Sequence, residues 1–129
     1  MKKITRIFIL LLISFSSAFA LDVYEDVSNA IRSNDASQLA TFFGTTLDLT
    51  ILNQEDVYSK AQAELILKDF FSKNICKSFT IIHKGSSPEG TQYAIGTLVT
   101  TSGKNFRVSF YIKSNQGKNI LRELRIEAA

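Results

Sequence analysis

The sequence predicts an α+β domain in which three helices cover one face of a curved antiparallel sheet of four to five strands. Two observations carry this expectation. Apolar residues recur at helical spacing in most of the stretch before Asn74, but alternate with polar ones from Cys76 onward. The alternating stretches are separated only by short turn-forming clusters, so there is no room for the helical crossovers of a parallel βαβ fold.

The domain does not begin at the first residue. Lys2, Lys3 and Arg6 precede an apolar run from Ile7 to Phe15, and Ala18-Phe19-Ala20 matches a signal-peptidase pattern. The run is about half the roughly 20 residues a membrane span requires, so residues 1–20 are expected to be a cleaved signal peptide. No cysteine follows the run to take a lipid. Residues 21–129 are then expected to be one exported domain, periplasmic or extracellular, soluble and free of any membrane anchor.

Cleavage alters the charge balance. The whole chain carries 15 Lys and Arg against 12 Asp and Glu. Removing the three basic residues of the signal leaves equal numbers, so the basic surplus belongs to targeting. Nucleic-acid binding, which rests on cationic contacts to phosphate, is therefore not expected. A single cysteine, Cys76, allows no internal disulfide, so stability must come from packing.

Within the domain, Val23, Val27, Ala30 and Ile31 share one helical face, and Asn34-Asp35 ends that segment. Asp35 followed by Gln38 marks the N-terminus of a second, short helix carrying Leu39, Ala40 and Phe43, with Gly44 as its C-cap. Leu47, Leu49 and Ile51 alternate as a half-buried strand. Val57-Tyr58 forms a short extended stub, and Ser59-x-x-Gln62 opens a third helix with Ala63, Ile66, Leu67 and Phe70 inward. Strands follow from Cys76 to His83, from Tyr93 to Thr101, from Phe106 to Ile112 and from Ile120 to Glu127. Turns fall at Gly85–Gly90, Ser102–Asn105 and Asn115–Lys118. On the last strand Ile120, Leu124 and Ile126 are expected to face one way.

The segment Val57-Tyr58-Ser59-Lys60-Ala61-Gln62-Ala63-Glu64, running into Phe70-Phe71, resembles the strand, tight turn and third helix of the nuclear transport factor 2-like superfamily. The order of elements over residues 22–127 resembles it too. More narrowly, the chain resembles a family of small exported bacterial domains of unknown function. The resemblance implies a cone-shaped, cystatin-like sheet, often open to a pocket at one end and often dimerising through its outer face. Superfamily members include isomerases and lyases of the ketosteroid isomerase and scytalone dehydratase type as well as binding modules, so fold alone assigns no activity.

Two functional expectations follow. The first is a non-catalytic module that binds a small apolar ligand or an envelope protein and dimerises through its sheet, with a pocket lined by Phe43, Tyr58, Phe70, Tyr93, Phe106 and Phe110. The second is a cofactor-free isomerase or lyase with Asp48 as base, Tyr58 or Tyr93 as hydrogen-bond donor and His83 as a further acid/base. Asp48 alternates with Leu47 and Leu49, which places it on the wet face of its strand. His83, the only histidine, follows Phe79 and Ile81 on an apolar strand face and reads first as a rim or core residue. Cys76 lies an odd seven residues from His83 and so on the opposite strand face. No ligand spacing suggests a metal, and neither a phosphate-binding loop nor a nucleophile elbow is present. The mixed charges from Arg122 to Glu127 read as a solvated strand face or as a complementary dimer surface.

Overall fold

The computed structural model describes residues 22–129, so the expected signal segment 1–20 lies outside the described residues. Helix α1, Val23–Arg32, begins where the Asp22 carboxylate accepts a bond from the Tyr24 amide at 3.1 Å. Glu25 and Asp26 in its first turn and Arg32 in its last complement the helix dipole. Helix α2, Ala36–Ala40, is capped by Asp35 through the Gln38 amide at 2.9 Å. It stops earlier than expected. Both the Thr41 amide and its hydroxyl donate to the Gln38 carbonyl, which closes the helix before Gly44. Gly44 belongs instead to strand β1, Phe43–Ile51.

The extended stub at Val57-Tyr58 is a full strand, β2, Gln54–Ser59, paired antiparallel with β1 through Leu47–Tyr58 and Asp48–Val57. Its polar first half, Gln54-Glu55-Asp56, has poor strand propensity, which hid it, but charged residues suit an exposed edge. Leu52 makes the tight turn between the two strands at φ +58°, in the left-handed region where bulky side chains rarely sit. Helix α3, Lys60–Lys73, begins at the expected capping box between Ser59 and Gln62. Four strands follow: β3, Cys76–Ser86; β4, Thr91–Thr100; β5, Asn105–Asn115; and β6, Lys118–Ala128.

The sheet has six strands in the order β2-β1-β6-β5-β4-β3, one more than the upper expectation. All pairs are antiparallel except β1–β6, because the meander brings β6 back alongside β1 in the same direction. Along that parallel pair the register slips between Phe43 and Asp48. Helices α1, α2 and α3 lie on one face. The core between them and the sheet includes Leu39, Leu67, Phe71, Leu98, Phe110, Leu121 and Leu124, all buried. On β6 the inward residues are Leu121, Leu124 and Ile126, while Ile120 is only half-buried, a change that accompanies the register shift opposite Tyr111 and Ile112.

Helix α1 also covers the free edge of β3. The Tyr24 hydroxyl donates to the Gly85 carbonyl at 3.1 Å, Arg32 Nε donates to the Phe79 carbonyl at 3.0 Å, and the Cys76 amide donates to Asn34 Oδ1 at 3.2 Å. These bonds occupy edge groups that would otherwise be open to strand addition. Burial raises the Tyr24 pKa, assisted by the nearby Asp22 charge, which keeps its hydroxyl a donor.

Candidate functional site

Strand register decides where each candidate residue lies. On β3, register shifts between Cys76 and Ser78 and between Ile81 and His83 make two bulges. The second leaves Ile82 exposed and turns His83 away from the apolar face on which Phe79 and Ile81 lie. His83 therefore stands on the outer face, with Nε2 hydrogen-bonded to the Tyr93 hydroxyl at 3.1 Å. Because two bulges restore parity, Cys76 and His83 still occupy opposite faces. Cys76 packs at the core margin, where burial pushes its thiol pKa up against the opposing pull of Arg32.

The outer face carries rows of side chains set by pairing across strands. One runs Tyr93, Tyr111, Glu123, Asp48, Val57 over β4, β5, β6, β1 and β2. The next runs Ile95, Ser109, Arg125, Thr50, Glu55. Tyr93 and Tyr111 stack with ring centres 6.0 Å apart. Arg125 bridges two acids on its own strand, reaching Glu127 at 2.8 Å and Glu123 at 3.7 Å. A cleft of about 400 Å3 opens beside Asp48, Tyr111, Lys113, Arg122 and Glu123, and one of about 270 Å3 lies over Arg107, Tyr111 and Arg125.

The catalytic candidates do not converge. Asp48 lies on the outer face of β1 beside Glu123, whereas Tyr58, one step away on β2, packs against the core on the inner face. His83 is on β3, four strands from β1, about 19 Å away at the usual inter-strand spacing. The six aromatic residues expected around one pocket are also divided. Phe70 and Phe106 meet edge to face at 5.3 Å and share a cleft of about 570 Å3. Phe43 lines a separate cleft with Phe42 and Lys60. Phe110 is sealed in the core and Tyr93 is outside. Between the sheet and the helices, buried side chains such as Phe79, Leu98 and Phe110 occupy the interior.

Within the mixed-charge stretch from Arg122 to Glu127, Glu123 stands apart. Burial raises its pKa, with the neighbouring Asp48 charge adding to the shift and Arg125 opposing it. Asp48 Oδ1 is itself buried without a hydrogen-bond partner among the described residues. The two acids are 75 positions apart, and only the parallel β1–β6 register brings them together. A raised native pKa means that the stability is full below the ordinary carboxylate value and is lost as pH rises through the native value. Glu123→Gln is therefore expected to raise the melting temperature at neutral pH. Arg125 retains Glu127 in that variant. The gain should vanish by about pH 4, where an ordinary glutamate is itself largely protonated. Thermal melts at the two pH values check this, and a lower neutral-pH melting point for the variant would show that the Arg125 ion pair outweighs the acid repulsion.

Among the described residues no helix is long and apolar enough to cross a membrane, and no group of three or more His, Cys, Asp or Glu side chains is placed to hold a metal ion. No curated protein matches the sequence. Solved structures do. The chain is similar to a DUF4783 family protein from Bacteroides uniformis at 30% identity and TM-score 0.77, over 84% of this chain and 98% of that one. A designed protein of the nuclear transport factor 2 type matches at 12% identity and TM-score 0.66, over 85% and 97% of the two chains. A cystatin-like protein from Caulobacter vibrioides matches at 12% identity and TM-score 0.65, over 88% and 89%. The last two likenesses speak to fold alone, and they agree with the cone-shaped class expected. With residues 24–127 matching its sequence pattern, the chain belongs to the family described as a domain of unknown function, DUF4783.

Proposed function

We propose that this protein is an exported, non-catalytic interaction module that pairs with a second copy of itself through the outer face of its sheet. One observation carries the reading: cations, anions and aromatic rings are interleaved on that face. Arg107 and Arg125 stand among Glu123 and Glu127, with Tyr93 and Tyr111 alongside. A twofold axis can set each arginine of one copy against a glutamate of the other, the repeated pairing that isologous contacts require. Tyrosine and arginine are the side chains that interface cores favour, and mixed charge gives register.

Sedimentation velocity of the purified protein tests this. The parent is expected to sediment as a dimer, and Arg107→Glu combined with Tyr111→Asp to sediment as a monomer with unchanged circular dichroism. A parent that stays monomeric at high micromolar concentration, or a variant that stays dimeric, would remove the reading.

A second reading, an isomerase or lyase, has one observation in its favour: the Asp48 oxygen beside Glu123, without a hydrogen-bond partner among the described residues, in a cleft large enough for a small substrate. It calls for Asp48-dependent exchange of an acidic carbon-bound proton with solvent deuterium, abolished in Asp48→Asn. Absence of such exchange over a panel of enolisable ketones would leave the interaction reading alone.

A further inference from the structure

The geometry points to a binding cleft for a small aryl or alkyl carboxylate at the end of the cone where the β1–β2 turn, the last turns of α3 and the β4–β5 turn meet. This cleft is separate from the outer face and stands whether or not the protein dimerises. Its volume, about 570 Å3, is within the roughly 300–1,000 Å3 of small-molecule sites. Ile51, Leu52, Ile66, Phe70 and Phe106 supply an apolar wall, and the Phe70–Phe106 edge-to-face pair holds both rings in one orientation. Such a wall suits an apolar body, and an aromatic one can add a further edge-to-face contact.

The polar groups at its rim select the head of the ligand. Two lysines and one aspartate line the cleft, and Lys73 is neutralised by Asp69 at 3.1 Å. Lys104 forms no ion pair among the described residues. Its backbone is fixed from both sides: its amide donates to Thr100 Oγ1 at 3.0 Å, and its carbonyl accepts from the Thr100 amide at 2.9 Å. Asn74 Nδ2 already donates to the Phe70 carbonyl at 3.0 Å. One uncommitted cation beside a neutral pair calls for a monoanion. A phosphate dianion would meet the Asp69 carboxylate with only one lysine to offset it, and no arginine fork is present to take a bidentate phosphate.

The opposite rim carries backbone strain. Leu52 holds φ +58° and leaves 47% of its surface exposed. Asparagine or glycine would make the turn at lower backbone cost, and Asn53 is next in the chain. An exposed leucine at that φ gains little from burial in the free protein. A ligand seated on Ile66 and Phe106 would cover it. Strain of this kind gathers at ligand clamps, and among the described residues Leu52 is the one large apolar side chain at a positive φ.

The probes are 4-phenylbutanoate and its uncharged match, 4-phenylbutanol, titrated into the isotope-labelled protein and followed by amide chemical shifts. The expected result is saturable binding of the carboxylate, with shifts confined to residues around Leu52, Ile66, Phe70 and Lys104. Lys104→Gln, a change at an exposed side chain, should weaken the carboxylate about tenfold, the loss of one charge-assisted hydrogen bond, and leave the alcohol unchanged. Ile66→Gln should weaken both. The assignment is overturned if the carboxylate does not saturate, if its shifts map to the outer face of the sheet, or if Lys104→Gln weakens both probes equally.

Discussion

Phe110→Ala is expected to remove about 3–5 kcal/mol of folding stability, the range for truncating a buried phenylalanine. Phe110 has 0% exposure, lies between Ala94 of β4 and Leu124 of β6 in the ladder, and tilts against Tyr24 of α1 at 6.5 Å. It therefore joins the middle of the sheet to the helix that covers the β3 edge. The small Ala94 opposite offers nothing that could move into the void. A domain of this size has about 5–15 kcal/mol in total, so the variant should survive, if at all, at the margin of folding. Urea unfolding followed by circular dichroism reads the loss as a lower midpoint at unchanged slope. Tyr111→Ala is the control, one residue along and on the opposite face, and should cost about 1 kcal/mol or less in the monomer. Equal losses for the two would mean that the inner and outer faces of β5 are wrongly assigned.

The same alternation that separates Phe110 from Tyr111 explains what the sequence could and could not reveal. Helix starts were legible because capping is local: Asp35 with Gln38 and Ser59 with Gln62 each act within one turn. The strand from Phe106 to Ile112 was legible because its polar and apolar residues alternate without fault. Three features were not. Strand β2 begins with Gln54-Glu55-Asp56, side chains that suit a solvated edge but carry no pattern. The bulge at Ile82 moved His83 to the other face, and nothing in Phe79-Thr80-Ile81-Ile82-His83 announces an extra residue. The parallel β1–β6 pair depends on chain path, so the meeting of Asp48 with Glu123 had no local sign.

The candidate sites follow that division. A single residue such as Asp48 shows its strand position and side-chain type, but a site needs partners from other strands, and partners are set by register. Alternation alone turns Glu123, Arg125 and Tyr111 outward, but which of them meet across strands follows only from the register. The cleft at the cone end combines a turn leucine, two phenylalanines 36 positions apart and a lysine from another turn. Only Phe70 and Phe106 of that group stood out beforehand, and as members of a larger pocket that the core fills.

Gly96→Ala sets two physical effects against each other, and their signs differ. By backbone entropy alone, alanine in a strand should be favoured over glycine by about 0.5–1 kcal/mol. The packing around Gly96 reverses this. An added Cβ would stand 2.5 Å from Phe79 Cε1, 2.6 Å from its Cζ and 2.9 Å from the Thr80 carbonyl oxygen. The Phe79 ring is buried, and its strand is held on α1 by the bond from Arg32 to its carbonyl. Neither ring nor carbonyl has room to give way cheaply, so overpacking of about 1–3 kcal/mol should outweigh the entropic gain. A double-mutant cycle separates the two sources of strain. In a Phe79→Leu background the ring contact is gone, and the cost of Gly96→Ala should fall by about 0.5–3 kcal/mol, the coupling typical of residues in contact. It should not fall to zero, because the Thr80 carbonyl remains. A stabilising Gly96→Ala in the parent would show that β3 and β4 can part at Ile81–Gly96, and that the edge strand is held by α1 more than by its ladder.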